Sequence, residues 1–470
     1  MQTGETMPIT RRDFLNNTAS SRRSELLTEA EAREIAEGIL AMSNADGTSV
    51  SVSNSWTGNT RSAVNRITTA GEVSDTSVSI SARFGQRQAS VSTNRLDPDS
   101  LQAAVDTAES QARLSPENPE LMPLLGAQEY EASEGFFEST ANLGPAERGQ
   151  VAADAIAAAT EHGDLTAAGF LLARAGASAI ANSAGMFGFH RSTSMGYELT
   201  IRTADGTGSG WAGSAHRDWT AIDTRDIHTL AAQRALTSRA PQRLEPGEYP
   251  VVFTAEAVSE LVGLLSRSLS ARSADEGRSA FSAEGGTKVG QKLLDEKFTL
   301  ISDPVGLGSS PYDGSGMPLQ QETCFENGTL RQLSYDRFWA DKQGVRPTGG
   351  AGSLRMSGGS ASLEELVRGL DKGLLVTRLW YIRSIDPRTI LYTGLTRDGV
   401  FWVEDGKIVH PVNNFRWNDS PLTAFSGIEE LGRPERVGPE YADSENSSTA
   451  RKVPPARLSS FQFSTVSEAV

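Results

Sequence analysis

Three dipeptides that favour tight hairpins recur along the chain, and they constrain its fold more than any other pattern. Asp205-Gly206, Asn327-Gly328 and Asp405-Gly406 each stand between runs of β-prone residues. Aspartate, asparagine and glycine tolerate the positive φ angles that two-residue turns of antiparallel hairpins require. The clearest case is FWVEDGKIVHPV, from Phe401 to Val412. The sequence therefore predicts antiparallel sheet in both halves of the chain.

Helical patterns alternate with these strands. Thr28 and Glu31 form a capping-box pattern, and Asp97-Pro98 opens a second helix because proline is tolerated in a first helical turn. Further helices are predicted at 145–162, 223–238, 254–271, 362–370 and 421–431, and consecutive strands at 165–173, 178–182, 196–203 and 208–215. We expect a mixed α/β fold of the α+β class, with N-terminal helices packed on a β-sheet and a β-rich C-terminal domain of antiparallel hairpins and helices.

The length of 470 residues is sufficient for two domains with sizeable cores. Pro241 and Pro246 mark a boundary near residue 245. We predict a disordered N-terminus at 1–25, an N-terminal α/β domain at 26–245 and a C-terminal domain at 246–470. The charged, serine-rich stretch 438–452 is predicted to be an exposed loop.

Charge and cysteine content exclude several classes of protein. A formal net charge of −15 argues against a nucleic-acid-binding surface, which needs clustered lysine and arginine. The single cysteine, Cys324, excludes an intrachain disulfide and suits a reducing compartment. No run approaches the roughly 18 apolar residues of a membrane span. We therefore expect a cytoplasmic protein that binds neither nucleic acid nor membrane.

One segment near the N-terminus resembles a targeting signal. Residues Thr10–Leu15 are similar to a twin-arginine export motif, but the following residues 16–23, NNTASSRR, are polar. An export signal needs an apolar region of about 7–15 residues at that place. We expect no export, and any role of the motif stays open.

A set of ordered blocks gives the chain a family resemblance. The segment Val251–Ala271 predicts a short apolar strand followed by an amphipathic helix. After it come TLISDP at 299–304, PYDGSG at 311–316, TRLWY at 377–381, TGLTRDG at 393–399 and PPA at 454–456. Their order and spacing resemble the TldD/PmbA metallopeptidase family, and the N-terminal half agrees more loosely.

The resemblance implies a two-domain protein that assembles as a dimer. In the best-described form one subunit holds zinc, the other does not, and the pair degrades peptides. The zinc-bearing subunit has His-Glu-x-x-x-His on the helix that corresponds to 251–271 and a cysteine from near its C-terminus. Zinc held by three protein ligands keeps a fourth position for water, and the adjacent glutamate takes that water's proton.

These residue types are missing from the matching positions here. The motif falls on Gly263–Ser268, GLLSRS, within a residue or two, and 438–452 contains no cysteine. Cys324 is predicted to be a small buried residue. The resemblance is therefore to the metal-free, PmbA-like (TldE-like) branch. We assign this chain no catalytic, cofactor-binding or metal-binding residue, and we expect zinc in the partner subunit.

Other side chains could in principle rebuild a site. The histidines are dispersed and are predicted to be structural: His162, His190, His216, His228 and His410. Glu256 and Glu260 share a helix face and could do acid–base work if burial separated their pKa values, but a solvated face is the favoured interpretation. The glycine-rich segments 349–353 and 358–360 are predicted to be flexible loops over a cleft that a peptide backbone could approach.

Aromatic residues of the C-terminal half are predicted to be mostly core, with some lining a peptide groove or a subunit interface. They are Trp380, Tyr381, Phe401 and Trp402.

Our leading hypothesis is a non-catalytic subunit of a TldD/TldE-type zinc metallopeptidase complex that degrades or processes peptides. It would pair with a TldD-like zinc-bearing paralogue as a heterodimer, or form a homodimer. The alternatives are an active metallopeptidase with a non-standard site and a metal-independent peptide-binding or maturation partner. The sequence leaves open whether the chain is itself an enzyme and which peptide is processed.

Overall fold

The computed structural model describes residues 26–161, 163–437 and 450–467. Its first sheet has six antiparallel strands in the order β3-β2-β1-β4-β5-β6. The strands are β1 Gly47–Ala63, β2 Arg66–Phe84, β3 Arg87–Thr93, β4 Leu165–Asn182, β5 Phe187–Thr203 and β6 Ser209–His216. The sheet therefore uses only residues before 217.

Helices cover one face of this sheet. They are α1 Glu29–Met42, α2 Pro98–Leu114, α3 Glu138–Ala141, α4 Pro145–Glu161 and α5 Thr224–Thr237. Along β1, Val50, Val52 and Trp56 are buried while the intervening serines are more exposed, as alternation in a half-buried strand requires. The capping box at Thr28 and the N-cap at Asp97 are both confirmed.

The predicted break between 165–173 and 178–182 is wrong, because β4 is one continuous strand. Arg174 pairs with Thr57 of β1 on one side and with Ser194 of β5 on the other, and the ladder continues through Gly176. Glycine has a weak strand propensity, so Gly176 stays extended because β4 is hydrogen-bonded to a neighbouring strand on each side.

The C-terminal half contains two larger sheets and a separate two-stranded sheet, β8-β9. One has six strands in the order β12-β11-β10-β13-β22-β21; the other has nine, in the order β15-β16-β19-β23-β7-β14-β17-β18 with β20 beside β23. The strands are β7 Gly247–Phe253, β8 Ser282–Ala283, β9 Gly286–Thr287, β10 Leu300–Ser302, β11 Glu322–Glu326, β12 Thr329–Leu330, β13 Leu354–Met356, β14 Lys372–Val376, β15 Leu379–Asp386, β16 Leu391–Thr396, β17 Val400–Glu404, β18 Lys407–Pro411, β19 Asn414–Asp419, β20 Ile428–Leu431, β21 Glu435–Val437, β22 Arg451–Val453 and β23 Ala456–Ser467.

Short helices connect these strands. They are α6 Ala255–Ser266, α7 Ala271–Asp275, α8 Arg337–Gln343, α9 Leu363–Arg368 and α10 Pro421–Ser426. The main core of this half lies around β7 and α6 and includes Phe253, Phe461 and Trp417, all buried. The mixed α/β fold is confirmed, whereas the boundary near residue 245 stays a prediction.

All three predicted hairpins are present. At Asn327-Gly328 and at Asp405-Gly406 both residues have positive φ, as the two-residue turns require. At Asp205-Gly206, between β5 and β6, only the glycine does, with φ of 72°. The turn chemistry therefore predicted the hairpins correctly even where the detailed turn conformation differs.

Several other predictions fail at their ends, and the helix predicted at 254–271 is one of them because it ends at Ser266. The helix predicted to reach residue 431 ends at Ser426, because Gly427 interrupts it and Ile428 pairs with Leu458 of β23. The loop predicted for 438–452 includes residues 451–452, which belong to β22 between β13 and β21. Residues 438–449 and 1–25 lie outside the described part of the chain.

An irregular segment, residues 115–137, connects the two halves. Arg272 in α7 forms two 2.8 Å hydrogen bonds with the carboxylate of Glu120. Further along, Tyr130 Oη donates to the carbonyl oxygen of Gly316 at 2.7 Å. These contacts tie the first sheet to the loops of the C-terminal half. In the described residues no helix is both long and apolar enough to cross a membrane.

Candidate functional site

Helix α6 is the element on which the family resemblance places a catalytic motif. It follows β7 directly, and nine of its twelve residues are buried. A helix that is apolar on nearly all sides belongs inside a core rather than at its edge. The amphipathic helix of the sequence prediction is therefore an almost fully buried one.

Glu256 and Glu260 do not form a solvated face, and that prediction is wrong. Both are only partly exposed, because β21 and β22 pack over this side of α6. Glu256 faces the buried Arg234, whose pKa is lowered by burial and raised by the nearby carboxylates, Glu256 first. The covering strands are Glu435–Val437 and Arg451–Val453, which lie far from the helix in sequence, so the periodicity of the helix gave no sign of them.

Arg451 of β22 packs against α6 beside Gly263. Its Nη1 donates to the carbonyl oxygen of Ser259 at 3.2 Å and to the hydroxyl oxygen at 3.4 Å. Glu260 Oε1 lies 3.9 Å from the same nitrogen. A Cβ atom at Gly263 would stand 2.6 Å from Arg451 Nη2, closer than packing allows. Burial lowers the pKa of Arg451, and Glu260 opposes that effect.

The residues of α6 do not fit the zinc ion that the resemblance implies for a catalytic subunit. Gly263–Ser268 supplies no imidazole, thiolate or carboxylate, which are the ligands zinc takes from proteins. The face of Ser259 and Gly263 is filled by a guanidinium, a cation that repels a second one. Across the described ranges no three histidine, cysteine, aspartate or glutamate side chains are placed to hold a metal.

The four described histidines stand on four separate elements, and His162 lies outside the described residues. His190 is buried in β5, where burial and the charge of Arg217 lower its pKa to about 4. His228 Nε2 is 3.0 Å from Tyr197 Oη. His216 Nδ1 accepts from the amide of Asp218 at 2.9 Å, and His410 is partly exposed on β18. The structural role of these histidines stays a prediction.

Cys324 is buried in β11. Burial raises the pKa of its thiol to about 12, so the thiolate that binds metals or attacks substrates is not formed near neutral pH. This placement agrees with the small buried residue predicted from the sequence.

The aromatic residues divide between core and surface. Phe401 is buried and Trp402 packs edge-on against Tyr249. Trp380 is half-buried, with the Arg397 guanidinium 4.1 Å from its ring centroid. Tyr381 is 49% exposed and has φ of 51°. Exposed aromatic surface is therefore concentrated on β15, an edge strand of the nine-stranded sheet.

The glycine-rich segment 358–360 is not a loop held open for a ligand. A Cβ atom at Gly358 would lie 2.5 Å from the carbonyl oxygen of Gly432, and one at Gly359 would lie 2.4 Å from that of Leu431. Gly359 also donates its amide to Gly432 at 2.8 Å. Because these glycines have no side chain, residues 431–432 of the same chain can pack closely against them. At 349–353, Gly349 has φ of 73° and its amide donates to the carbonyl of Tyr335.

Sequence reasoning missed a cavity of about 200 Å³ between the two halves. Thr207, Ser209 and Ser238 line it from one side, and Asp398, Val412 and Asn413 from the other. Asp398 is buried and accepts from Ser209 Oγ at 2.6 Å and from Arg378 Nη1 at 2.9 Å. The lining comes from separate segments, and its only local signal was the block TGLTRDG.

Comparisons with known proteins agree with this architecture. Two family models match: the PmbA/TldA metallopeptidase central domain over residues 138–239 and the PmbA/TldA metallopeptidase C-terminal domain over residues 246–465. The chain is 25% identical to Metalloprotease PmbA of Escherichia coli O157:H7 over 443 residues, covering 86% of this chain and 91% of the relative.

More distant relatives include the Zinc metalloprotease TldD homolog of Saccharolobus solfataricus, 24% identical over 238 residues, which are 45% of this chain and 51% of the homologue. The crystal structure of TldE from Thermococcus kodakarensis shares the fold, with a TM-score of 0.81 at 19% identity over 92% of this chain and 99% of that one. With both family models matched, the chain belongs to the TldD/PmbA metallopeptidase family.

Proposed function

We propose that this chain is a non-catalytic subunit of a TldD/TldE-type zinc metallopeptidase complex that degrades or processes peptides. The observation that supports the proposal is the face of α6 at Ser259 and Gly263, which is filled by the guanidinium of Arg451. Relatives of the chain are named metalloproteases, one of them a zinc metalloprotease. A member without room or ligands for zinc contributes to such a complex by other means than hydrolysis.

Peptide binding is the contribution that we assign to it. Strand β15 is at the edge of the nine-stranded sheet, and its exposed side chains include Tyr381 and Ile385, each about half exposed. An extended peptide can add to such an edge through backbone hydrogen bonds, while alternate side chains enter pockets. Trp380, stacked under Arg397, supports the strand from the protein side.

The partner in this proposal is a TldD-like zinc-bearing paralogue that carries the His-Glu-x-x-x-His helix, so zinc belongs to the complex and not to this chain. A cytoplasmic location completes the proposal, and the lone cysteine supports it. Neither nucleic acid nor membrane is a partner.

The test is to purify the chain alone and together with a His-Glu-x-x-x-His paralogue, then to measure bound zinc and the cleavage of an unstructured peptide. We expect zinc and cleavage only in the co-purified complex. Stoichiometric zinc together with cleavage by the lone chain would contradict the proposal. Peptide binding by a chain that associates with no such paralogue would favour the metal-independent binding partner instead.

A further inference from the structure

Helix α6 and strand β22 are separated by almost 200 residues of sequence, yet one side chain joins them. The guanidinium of Arg451 reaches across to the backbone and hydroxyl of Ser259, and to the neighbourhood of Glu260. The arginine side chain is only 14% exposed and that of Glu260 only 18%. A buried guanidinium is tolerated only where hydrogen bonds and a counter-charge replace water, and these residues supply both.

Gly263 leaves the space on α6 that the Arg451 guanidinium occupies. Glycine is a poor helix former, yet Gly263 lies in the last turn of α6, before the helix ends at Ser266. An added Cβ atom would meet three atoms of the Arg451 guanidinium, at 2.6, 2.7 and 2.8 Å. Ser259 and Gly263 are four residues apart, so both lie on the face of the helix that the guanidinium covers.

We propose that Arg451 is an internal cation that fastens α6 to β22 in place of a metal ion, and that Gly263 is the cradle matched to it. In a metal-bearing arrangement a divalent cation would join the helix to the C-terminal segment through ligands from each. Here the guanidinium joins α6 to β22 through hydrogen bonds to Ser259 and an ion pair with Glu260. This inference concerns the chain alone and stands whether or not it joins a zinc-bearing partner.

The first experiment tests the cradle with matched glycine substitutions in the full chain. Gly263→Ala forces the guanidinium away, and we expect the melting temperature to fall by about 5 °C, the scale for disrupting a buried ion pair in a chain of this size. Gly38→Ala is the control, because Gly38 lies in α1 with nothing within 4 Å of an added Cβ atom. That variant should melt no lower than the parent.

A double-mutant cycle then identifies the partner. In an Arg451→Met background Gly263→Ala should lower the melting temperature by less than half as much as it does in the parent chain, since the atoms that it displaces are gone. Equal effects in the two backgrounds, or an effect of Gly263→Ala no larger than that of Gly38→Ala, would overturn the proposal.

The second experiment asks whether the guanidinium takes the place of a metal. Ser259→His and Gly263→His together put two imidazoles four residues apart on one helix face, a spacing that binds zinc. We expect the pair with Arg451→Cys to retain one zinc ion after gel filtration and to melt higher with zinc than with chelator. The same pair with Arg451 kept should retain none. Zinc bound equally by both variants, or by neither while circular dichroism reports a folded chain, would refute the idea.

Discussion

The buried carboxylate of Asp398 offers a quantitative test of how the two halves are held together. Its side chain is 1% exposed and pairs with Arg378 at 2.9 Å, while Ser209 of β6 donates to its other oxygen at 2.6 Å. Removing the charge leaves the Arg378 guanidinium, whose side chain is only 12% exposed, without its paired carboxylate. We expect Asp398→Asn to lower the free energy of unfolding by about 3 kcal/mol, at the lower end for breaking a buried pair.

The choice of asparagine separates charge from backbone geometry. Asp398 has φ of 57°, which asparagine tolerates and alanine does not. Asp398→Ala should therefore destabilise by about 1 kcal/mol more than Asp398→Asn. Ser209→Ala, which removes only one hydrogen bond to a charged group, should lower the free energy of unfolding by about 1.5 kcal/mol.

Urea unfolding followed by tryptophan fluorescence is the assay, because the Arg378 guanidinium lies 4.6 Å from the Trp211 ring centroid and the ring therefore reports on this contact. An Asp398→Asn variant within about 0.5 kcal/mol of the parent would refute the reasoning, since surface substitutions commonly have effects of that size. It would mean that the pair is solvated between the two halves.

Three further predictions follow from single side chains. The folded-state pKa of His190 is about 4 against an ordinary 6.5, so unfolding takes up a proton below pH 6.5. The free energy of unfolding should therefore fall by roughly 3 kcal/mol from pH 6.5 to pH 4. In urea titrations at stepped pH, His190→Gln should reduce this dependence on pH. Cys324 should resist a thiol reagent at neutral pH in the folded chain, because burial raises the pKa of its thiol to about 12. In denaturant it should react at once. Fast labelling of the native chain would contradict this prediction. Tyr130→Phe removes the hydrogen bond to Gly316 and should destabilise by about 1 kcal/mol in urea, with an unchanged midpoint as the contrary result.

Local chemistry made part of this fold predictable from the sequence. The hairpin at Asn327-Gly328, the capping box at Thr28 and the proline-initiated helix at Pro98 are each specified by residues within a few positions. Boundaries failed where distant strands decided them, as at Ile428, which pairs with β23 and so leaves the predicted helix.

Only the residue types on α6 itself could be predicted for the candidate site. The sequence of α6 and the two residues after it shows only that Gly263–Ser268 contains no histidine, cysteine or carboxylate. It could not tell that α6 is covered, because the covering residue Arg451 follows it by almost 200 positions. For the same reason the sequence predicts that Gly359 is open to a ligand, although its amide donates to the carbonyl of the chain's own Gly432.

The position of β23 in the nine-stranded sheet has a consequence during synthesis. This strand lies between β7 and β19 and also pairs with β20. On the side that faces β23, the backbone of these three strands therefore stays unpaired until residues 456–467 have been synthesised. The first sheet, complete by residue 216, can form while the ribosome is still translating the rest. Throughout that interval the edges that β23 will cover expose unpaired backbone, and such edges make a partly synthesised chain prone to aggregation.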